Sequence, residues 1–431
     1  MERMSNMGLK FTAPAGWGSR SQLAATMKEL ADVQGNRDGI WNNEDQSPGS
    51  HGNIFERNPL TSKLAQSFST GLSTTDEVNA LQQFREAKEA QWGQPVTQLP
   101  LERLKHGELF ATQKAIALER MGRTPAEVTE GFVTAAGKVD GQEIPPRELF
   151  YQRFAPSSTP SGKVIVLSPG FQETGRNFYE QIEQLNKEGH DVIVMDHQWA
   201  GQSDGQPGRV DSGFGVARDV AAMTAFAQQV VDSEYTDNPD AGVMLYGNSM
   251  GAGPGVLGAI LMNDNDMIEL EGAPMPEGVD AYLQAPFLGS TPSFTNEVLG
   301  LASKLPLLNR IQAPSAGVPV LTTDKVGAQK GAQTAVLDDV RAQLRSMSSA
   351  NEDLERMQTL LQHGLRPQGN ISIIHGDNDP LADPSSSIAL KELLGDQVDL
   401  QIIDSDNHVL QQNPDEQDHA LTAIQGLINR Q

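Results

Sequence analysis

The chain has 431 residues, no cysteine and a formal net charge of −24; 38% of its residues are hydrophobic and 5% aromatic. That length exceeds what one ordinary core needs, so one large domain with added segments is expected. The charge disfavours nucleic acid and anionic membranes as partners, and the absent cysteine excludes disulfides, thiolate metal sites and a thiol nucleophile.

Residues 1–73 are rich in Ser, Asn, Gln, Gly and Thr and show weak apolar periodicity, so they read as a polar leader. Met1–Gly18 carries no apolar run behind a basic start, and no cleavable signal peptide is expected. A cytoplasmic location is the default, and export by an uncleaved signal is left open. Thr74 and Glu77 fit a capping box, with helix formers following to Trp92. A second helix is predicted over Leu101–Met121, and Thr124, Pro125 and Glu127 mark another helix start. Residues 1–128 thus form an N-terminal region of leader and helices, with no chemistry of its own.

The pattern changes at residue 129, where the main domain, 129–431, begins. Glu130–Ala135 and Glu148–Phe154 alternate like paired strands. Strands over Lys163–Leu167, Asp191–Met195, Gly242–Tyr246 and Asp280–Ala285 then alternate with helices over Thr174–Glu188, Gly213–Ser233 and Ala252–Met262. From Phe287 to Gln368 the rhythm breaks into consecutive helical segments, among them Thr295–Lys304, Thr334–Ser346 and Asn351–His363. It resumes with the strand Ile371–His375, the helix Ser386–Leu394, the strand Val398–Ile403 and the helix Asp415–Asn429. Such alternation predicts an α/β fold: a mostly parallel sheet, helices on both faces, and a helical cap inserted at about 287–368 over the carboxyl ends of the strands. The apolar runs, such as Val164–Leu167 and Val192–Met195, are strand-sized, well short of the ~20 residues of a membrane span.

The pattern Gly-x-Ser-x-Gly occurs twice, at Gly247–Gly251 and at Gly201–Gly205. A reactive serine needs a strand running into a sharp turn and then a helix, so that its hydroxyl projects at the strand end beside the helix N-terminus. Ser249 meets this: Val243–Tyr246 is the strand, Gly247 and Gly251 give room, and Ala252, Gly253 and Pro254 open a helix. Ser203 does not, because Gly205, Gln206, Pro207 and Gly208 follow it. In this the chain resembles the α/β-hydrolases, whose catalytic residues come in the order Ser, acid, His.

A serine hydroxyl is a poor nucleophile until a base removes its proton. Of eight histidines, His363, His375, His408 and His419 follow Ser249. His363 falls in the insertion, His375 ends a strand, and His419 lies in the terminal helix. His408 lies in the loop after the last strand, at the sheet edge that carries Ser249, and is the expected base, with His375 as the alternative. The acid should follow the strand Ile371–His375, where Asp377 and Asp379 both lie. Asp379 is favoured because it is far enough along to turn back over the strand end. Two backbone N–H groups should hold a developing oxyanion: that of Met250, after the nucleophile, and that of Phe171, in the loop Ser168-Pro169-Gly170-Phe171. The expected set needs no metal and no organic cofactor.

On five segments the chain is similar to the monoacylglycerol lipase and bacterial lysophospholipase branch of the α/β-hydrolases. These are Pro169-Gly170-Phe171 with Glu173, Asp196-His197 with Gly201-Gln202-Ser203, Gly247–Gly251, Gly376–Asp379, and Asn407-His408. The resemblance spans about 129–431 and implies a serine esterase acting on a small-molecule or lipid-like ester, with catalytic roles on Ser249, Asp379 and His408. The chain departs from that branch at Pro169, where His is usual, and at Gln198 and Trp199, where Arg and Gly are usual. One triad serves esters, thioesters, amides and acyl transfer alike, so those readings stay open, as does a binding module on the same scaffold. The sequence does not set the oligomeric state.

Overall fold

The computed structural model describes Arg123 and residues 127–428, apart from 172, 199–202, 205–209, 211–213, 289–311, 315–336, 380 and 413. The polar leader, the helices expected before residue 123, and the segment Thr295–Lys304 lie outside the described residues.

The strands form in chain order as β1 (Val128–Val139), β2 (Gln142–Phe154), β3 (Lys163–Ser168), β4 (Asp191–Met195), β5 (Gly242–Asn248), β6 (Ile268–Leu270), β7 (Asp280–Gln284), β8 (Gln312–Pro314), β9 (Leu337–Asp339), β10 (Ile371–Gly376) and β11 (Val398–Ile403). The helices are α1 (Tyr179–Lys187), α2 (Gly215–Glu234), α3 (Gly258–Asn263), α4 (Val340–Gln362), α5 (Pro384–Leu394) and α6 (Pro414–Ile428). Nine strands make one sheet in the order β11-β10-β7-β5-β3-β4-β2-β1-β6. From β11 to β4 all neighbours are parallel; β2, β1 and β6 continue the sheet antiparallel. This is the mostly parallel sheet, helix-covered on both faces, that the βα alternation predicts.

The central strands β3, β4, β5, β7 and β10 are buried on both faces, and alternate residues feed two cores. Val164 and Val166 of β3 and Val243 and Leu245 of β5 pack on the side of α2, α3 and α4. Ile165 and Leu167, with Met244 and Tyr246, pack on the side of α1 and α6. Each such fully buried aliphatic side chain contributes about 1.5–3 kcal/mol. The β1–β2 hairpin is longer than expected: only Asp140 and Gly141 connect the strands, and Pro145 and Pro146 lie within β2. Its pairing shifts between Ala135–Arg147 and Gly137–Ile144. The prolines fall in that irregularity, where a ladder can spare their missing N–H groups.

The insertion departs from the expectation. In place of a break between helices near residues 346–351, α4 runs unbroken, because Ala350, Leu354, Met357 and Leu361 form one continuous buried stripe. Two backbone N–H groups tie α4 to the segment before α2: Val210 donates to Ser346 Oγ at 2.6 Å and Phe214 to Asp353 Oδ2 at 3.1 Å. β8 and β9, also unforeseen, pair antiparallel within the insertion.

Candidate active site

The register brings Ser168 beside Gly247, and Asn248 beside Gln284, so the loops leaving β3, β5 and β7 start at one level of the sheet. Those leaving β10 and β11 start close by, with Gly376 paired to Ile403. The carboxyl end of the parallel strands therefore brings together the loops that carry Phe171, Ser249, Asp379 and His408.

At the end of β5, Ser249 turns the chain with φ of 52°, a left-handed conformation that a side chain rarely adopts. The turn is fixed from several sides. Ser249 N–H donates to Gln284 O at 3.0 Å, and Ser249 O accepts from Gly253 and Phe287, each at 3.0 Å. The following helix opens as a π-turn over Gly251–Leu257 before becoming α3. Pro254 explains it: having no N–H, it cannot satisfy the carbonyl of Met250 four residues back, and Gly255 N–H takes that carbonyl at 3.2 Å instead. Backbones crowd this turn so closely that only glycine fits. A Cβ on Gly251 would lie 2.3 Å from the carbonyl oxygens of both Ser168 and Pro169, and one on Gly253 would lie 2.0 Å from Phe287 O.

His408 Nε2 lies 2.7 Å from Ser249 Oγ, and His408 Nδ1 lies 2.7 Å from Asp379 Oδ2. All three residues are buried. The loop after β10 aims the carboxylate by its own backbone: Asp379 Oδ1 accepts the N–H of Leu381 at 2.8 Å and of Ala382 at 2.9 Å. Burial alone would raise the Asp379 carboxyl, but His408 and then His375 beside it hold it well below the usual carboxylate range. Burial pushes the His408 imidazole down, yet Asp379 and Glu173 outweigh it and hold it above the ordinary histidine value.

The alternatives fall elsewhere. Asp377 is exposed and accepts from Asn378 Nδ2 at 2.9 Å and from the N–H of Ser405 at 3.0 Å. His375 Nδ1 faces Ser387 Oγ at 2.8 Å, while His363 and His419 are exposed. Ser203 is fully buried; its hydroxyl accepts from Phe150 N–H at 2.7 Å and donates to Asp196 O.

The loop after β3 lies against Ser249: a Cβ on Gly170 would come 3.0 Å from Ser249 Cβ. Gly170 N–H donates to Glu173 Oε2 at 2.7 Å, which commits it to the loop itself. Met250 follows Ser249 with φ −64° and ψ −32°, at the mouth of the π-turn. Beneath the loop, Ser168 Oγ lies 2.8 Å from His197 Nε2 and donates to Gly251 O at 3.1 Å, stitching loop to turn. Burial pushes the His197 imidazole down to about 3, so it is uncharged at neutral pH.

A buried polar network adjoins this loop, and sequence reading assigned its members no role. Glu173 Oε2 also accepts from Asn248 Nδ2 at 2.6 Å, and Oε1 accepts from Gln411 Nε2 at 2.8 Å. Gln284 Nε2 donates to Asn248 Oδ1 at 3.0 Å and to Gln411 Oε1, and Tyr246 O–H donates to Gln284 Oε1 at 2.9 Å. The available signal was a polar residue closing each apolar strand, Asn248 on β5 and Gln284 on β7. Among the described residues no group of three or more His, Asp and Glu is placed to hold a metal ion, and no helix is long and apolar enough to cross a membrane.

A model of the family described as serine aminopeptidase, S33 (Hydrolase_4) matches residues 159–415. Among solved structures, a soluble variant of the monoglyceride lipase of Saccharomyces cerevisiae, in complex with a substrate analog, is similar at a TM-score of 0.52 and 15% identity, over 68% of this chain and 96% of that one. The monoacylglycerol lipase of Paleococcus ferrophilus aligns at 0.47 and 18% identity, over 66% of this chain and 100% of its own. A thermophilic esterase from Thermogutta terrifontis aligns at 0.49 and 14%, over 70% and 98% respectively. No curated protein matches the sequence. At 15% identity the likeness to the Saccharomyces lipase speaks to the fold alone, which, with the family match, is that of the α/β-hydrolases.

Proposed function

The chain belongs to the serine aminopeptidase S33 family of α/β-hydrolases, and on that premise we propose that it cleaves carboxylic esters through an acyl-enzyme on Ser249. One observation carries the reading: the unbroken relay from Asp379 Oδ2 to His408 Nδ1 and from His408 Nε2 to Ser249 Oγ, both links 2.7 Å long, ending on a serine at positive φ. In the first half-reaction Ser249 Oγ attacks the ester carbonyl while His408 Nε2 takes its proton. Asp379 keeps the other proton on Nδ1 and stabilises the imidazolium that forms. The N–H groups of Met250 and Phe171 take the oxyanion. Collapse of the tetrahedral adduct expels the alcohol, which receives the proton from His408. Water then enters by the same steps in reverse and releases the acid. No metal or organic cofactor takes part. The lipases and esterases of like fold motivate a lipid-like or small ester as substrate.

The family description favours a second reading, hydrolysis of a peptide bond next to a free N-terminus. That substrate brings an ammonium group, which needs a carboxylate to receive it. Glu173 and Asp379 border Ser249, and the chain's own donors already occupy both. An ester, which carries no such charge, suits these surroundings better.

A fluorophosphonate probe with peptide mapping tests the nucleophile without assuming a substrate. Labelling of Ser249 that disappears in His408→Ala supports the mechanism, and absence of labelling in folded protein sinks it. A panel of p-nitrophenyl esters against aminoacyl p-nitroanilides then separates the two substrates. Turnover confined to the anilides would overturn the ester assignment and leave the triad standing.

A further inference from the structure

The mechanism leaves one buried histidine beside the relay without a task. His375 closes β10, is fully buried, and places Nε2 3.3 Å from Asp379 Oδ2, the oxygen that faces His408. The same Nε2 lies 3.2 Å from the carbonyl oxygen of Ala382. Both neighbours are acceptors only, so Nε2 must carry a proton. On the other side of the ring, Nδ1 meets Ser387 Oγ at 2.8 Å, a hydroxyl that can donate to it. Ser387 sits on α5, whose first turn Asp383 caps through the N–H of Ser385 at 2.9 Å, so the hydroxyl is held on a rigid element.

Counted at the carboxylate, four N–H groups surround Asp379. Leu381 and Ala382 fill Oδ1, while His408 and His375 share Oδ2. The first two fix one oxygen by backbone alone. The carboxylate could still swing about that anchor, and His375 is the neighbour that limits the swing on the side of His408. We propose that His375 is a positioning residue for the acid: with its proton held on Nε2 by Ser387, it braces the Asp379 oxygen that orients His408. This rests on Asp379 being the orienting acid.

The test uses the full-length chain and four variants: His375→Leu, His375→Gln, Ser387→Ala and Asp379→Asn. Three readouts apply: kcat and KM on a soluble p-nitrophenyl ester, the rate of fluorophosphonate labelling, and the far-downfield proton resonance of His408 Nδ1–H. Loss of the brace in His375→Leu should lower kcat and labelling about 10- to 100-fold with KM little changed, and should shift or erase the downfield resonance. His375→Gln, whose amide can return an N–H near the Nε2 position, should recover most of the activity and the resonance. Ser387→Ala should give a smaller loss in the same direction.

A purely structural histidine would lower thermal stability and leave the resonance in place. If Asp379→Asn collapses while His375→Leu stays within about twofold of the parent with an unmoved resonance, this inference is overturned and the acid assignment survives. If Asp379→Asn itself keeps full activity, the acid assignment fails first. Should His375→Leu not fold, Ser387→Ala decides: unchanged kcat and resonance overturn the proposal.

Discussion

Two serines of this chain sit in the same five-residue pattern, and the fold treats them in opposite ways. Ser249 is held at φ 52° between a strand and a π-turn, its hydroxyl directed to a histidine. Ser203 is fully buried, and its hydroxyl is spent on the backbone of Phe150 and Asp196. One hydroxyl can lose its proton to a base, and the other ties β2 to the segment after β4. What makes a serine reactive is the strand before it and the helix after it, together with a base arriving from far along the chain.

The largest expected effect breaks the comparison directly. Ser249→Ala and His408→Ala should each lower kcat at least about 10⁴-fold, whereas Ser203→Ala should stay within a few-fold of the parent. Initial ester-hydrolysis rates at saturating substrate decide this. Equal losses at both serines would mean that the fold does not separate them as described.

The two aspartates after β10 sharpen the same contrast between a group that reacts and a neighbour that builds. Asp379→Asn should cost about 10³- to 10⁴-fold in kcat, because an amide there no longer holds His408 in the required tautomer. Asp377→Asn touches only Asn378 and Ser405 among the contacts described above, and should keep turnover within a few-fold. A comparable loss in Asp377→Asn would transfer the acid's role to it.

Much of this arrangement is legible in the sequence because the signals are local. β4 occupies the residues that its apolar run predicts, since a strand buried on both faces needs an unbroken hydrophobic stretch. Ser249, Asp379 and His408 are expected on another local signal, each lying in the turn or loop that follows a strand. The strand β6 escaped notice because Ile268–Leu270 is short and only partly buried; it exists by pairing with Gly137–Val139, far away in the chain. The π-turn depends on a single missing N–H at Pro254. The Glu173 network joins residues as distant as Glu173 and Gln411, and a single sequence gives no means of pairing two ordinary polar residues across that separation.

A smaller effect tests the structural serine on its own terms. Ser203→Ala leaves the buried N–H of Phe150 without its acceptor, which should cost about 1–3 kcal/mol of stability. Urea unfolding of the parent and the variant measures it. Ser249→Ala should not show the same loss, since its hydroxyl meets only His408 among the contacts described. Stability losses of equal size would indicate that Ser249, too, serves the fold first.

The smallest expected effect concerns charge rather than contact. Burial pushes the Glu173 carboxyl up, while the N–H groups of Gly170, Asn248 and Gln411 favour its charged form. When charged, it raises the His408 imidazole together with Asp379. In the proposed mechanism His408 must be unprotonated to act as base, so activity should fall as pH drops through its raised pKa. Glu173→Gln removes one of the two nearby negative charges, and the acid limb of kcat/KM should move to lower pH. The glutamine amide must also turn one N–H group toward a neighbour that already donates, so kcat should fall by about tenfold or less through a disturbed Gly170 loop. The pH profile separates the two consequences. A lower plateau with an unmoved limb would mean that Glu173 holds the loop and leaves the field at His408 to Asp379 alone, whereas a moved limb at an unchanged plateau would reverse that assignment.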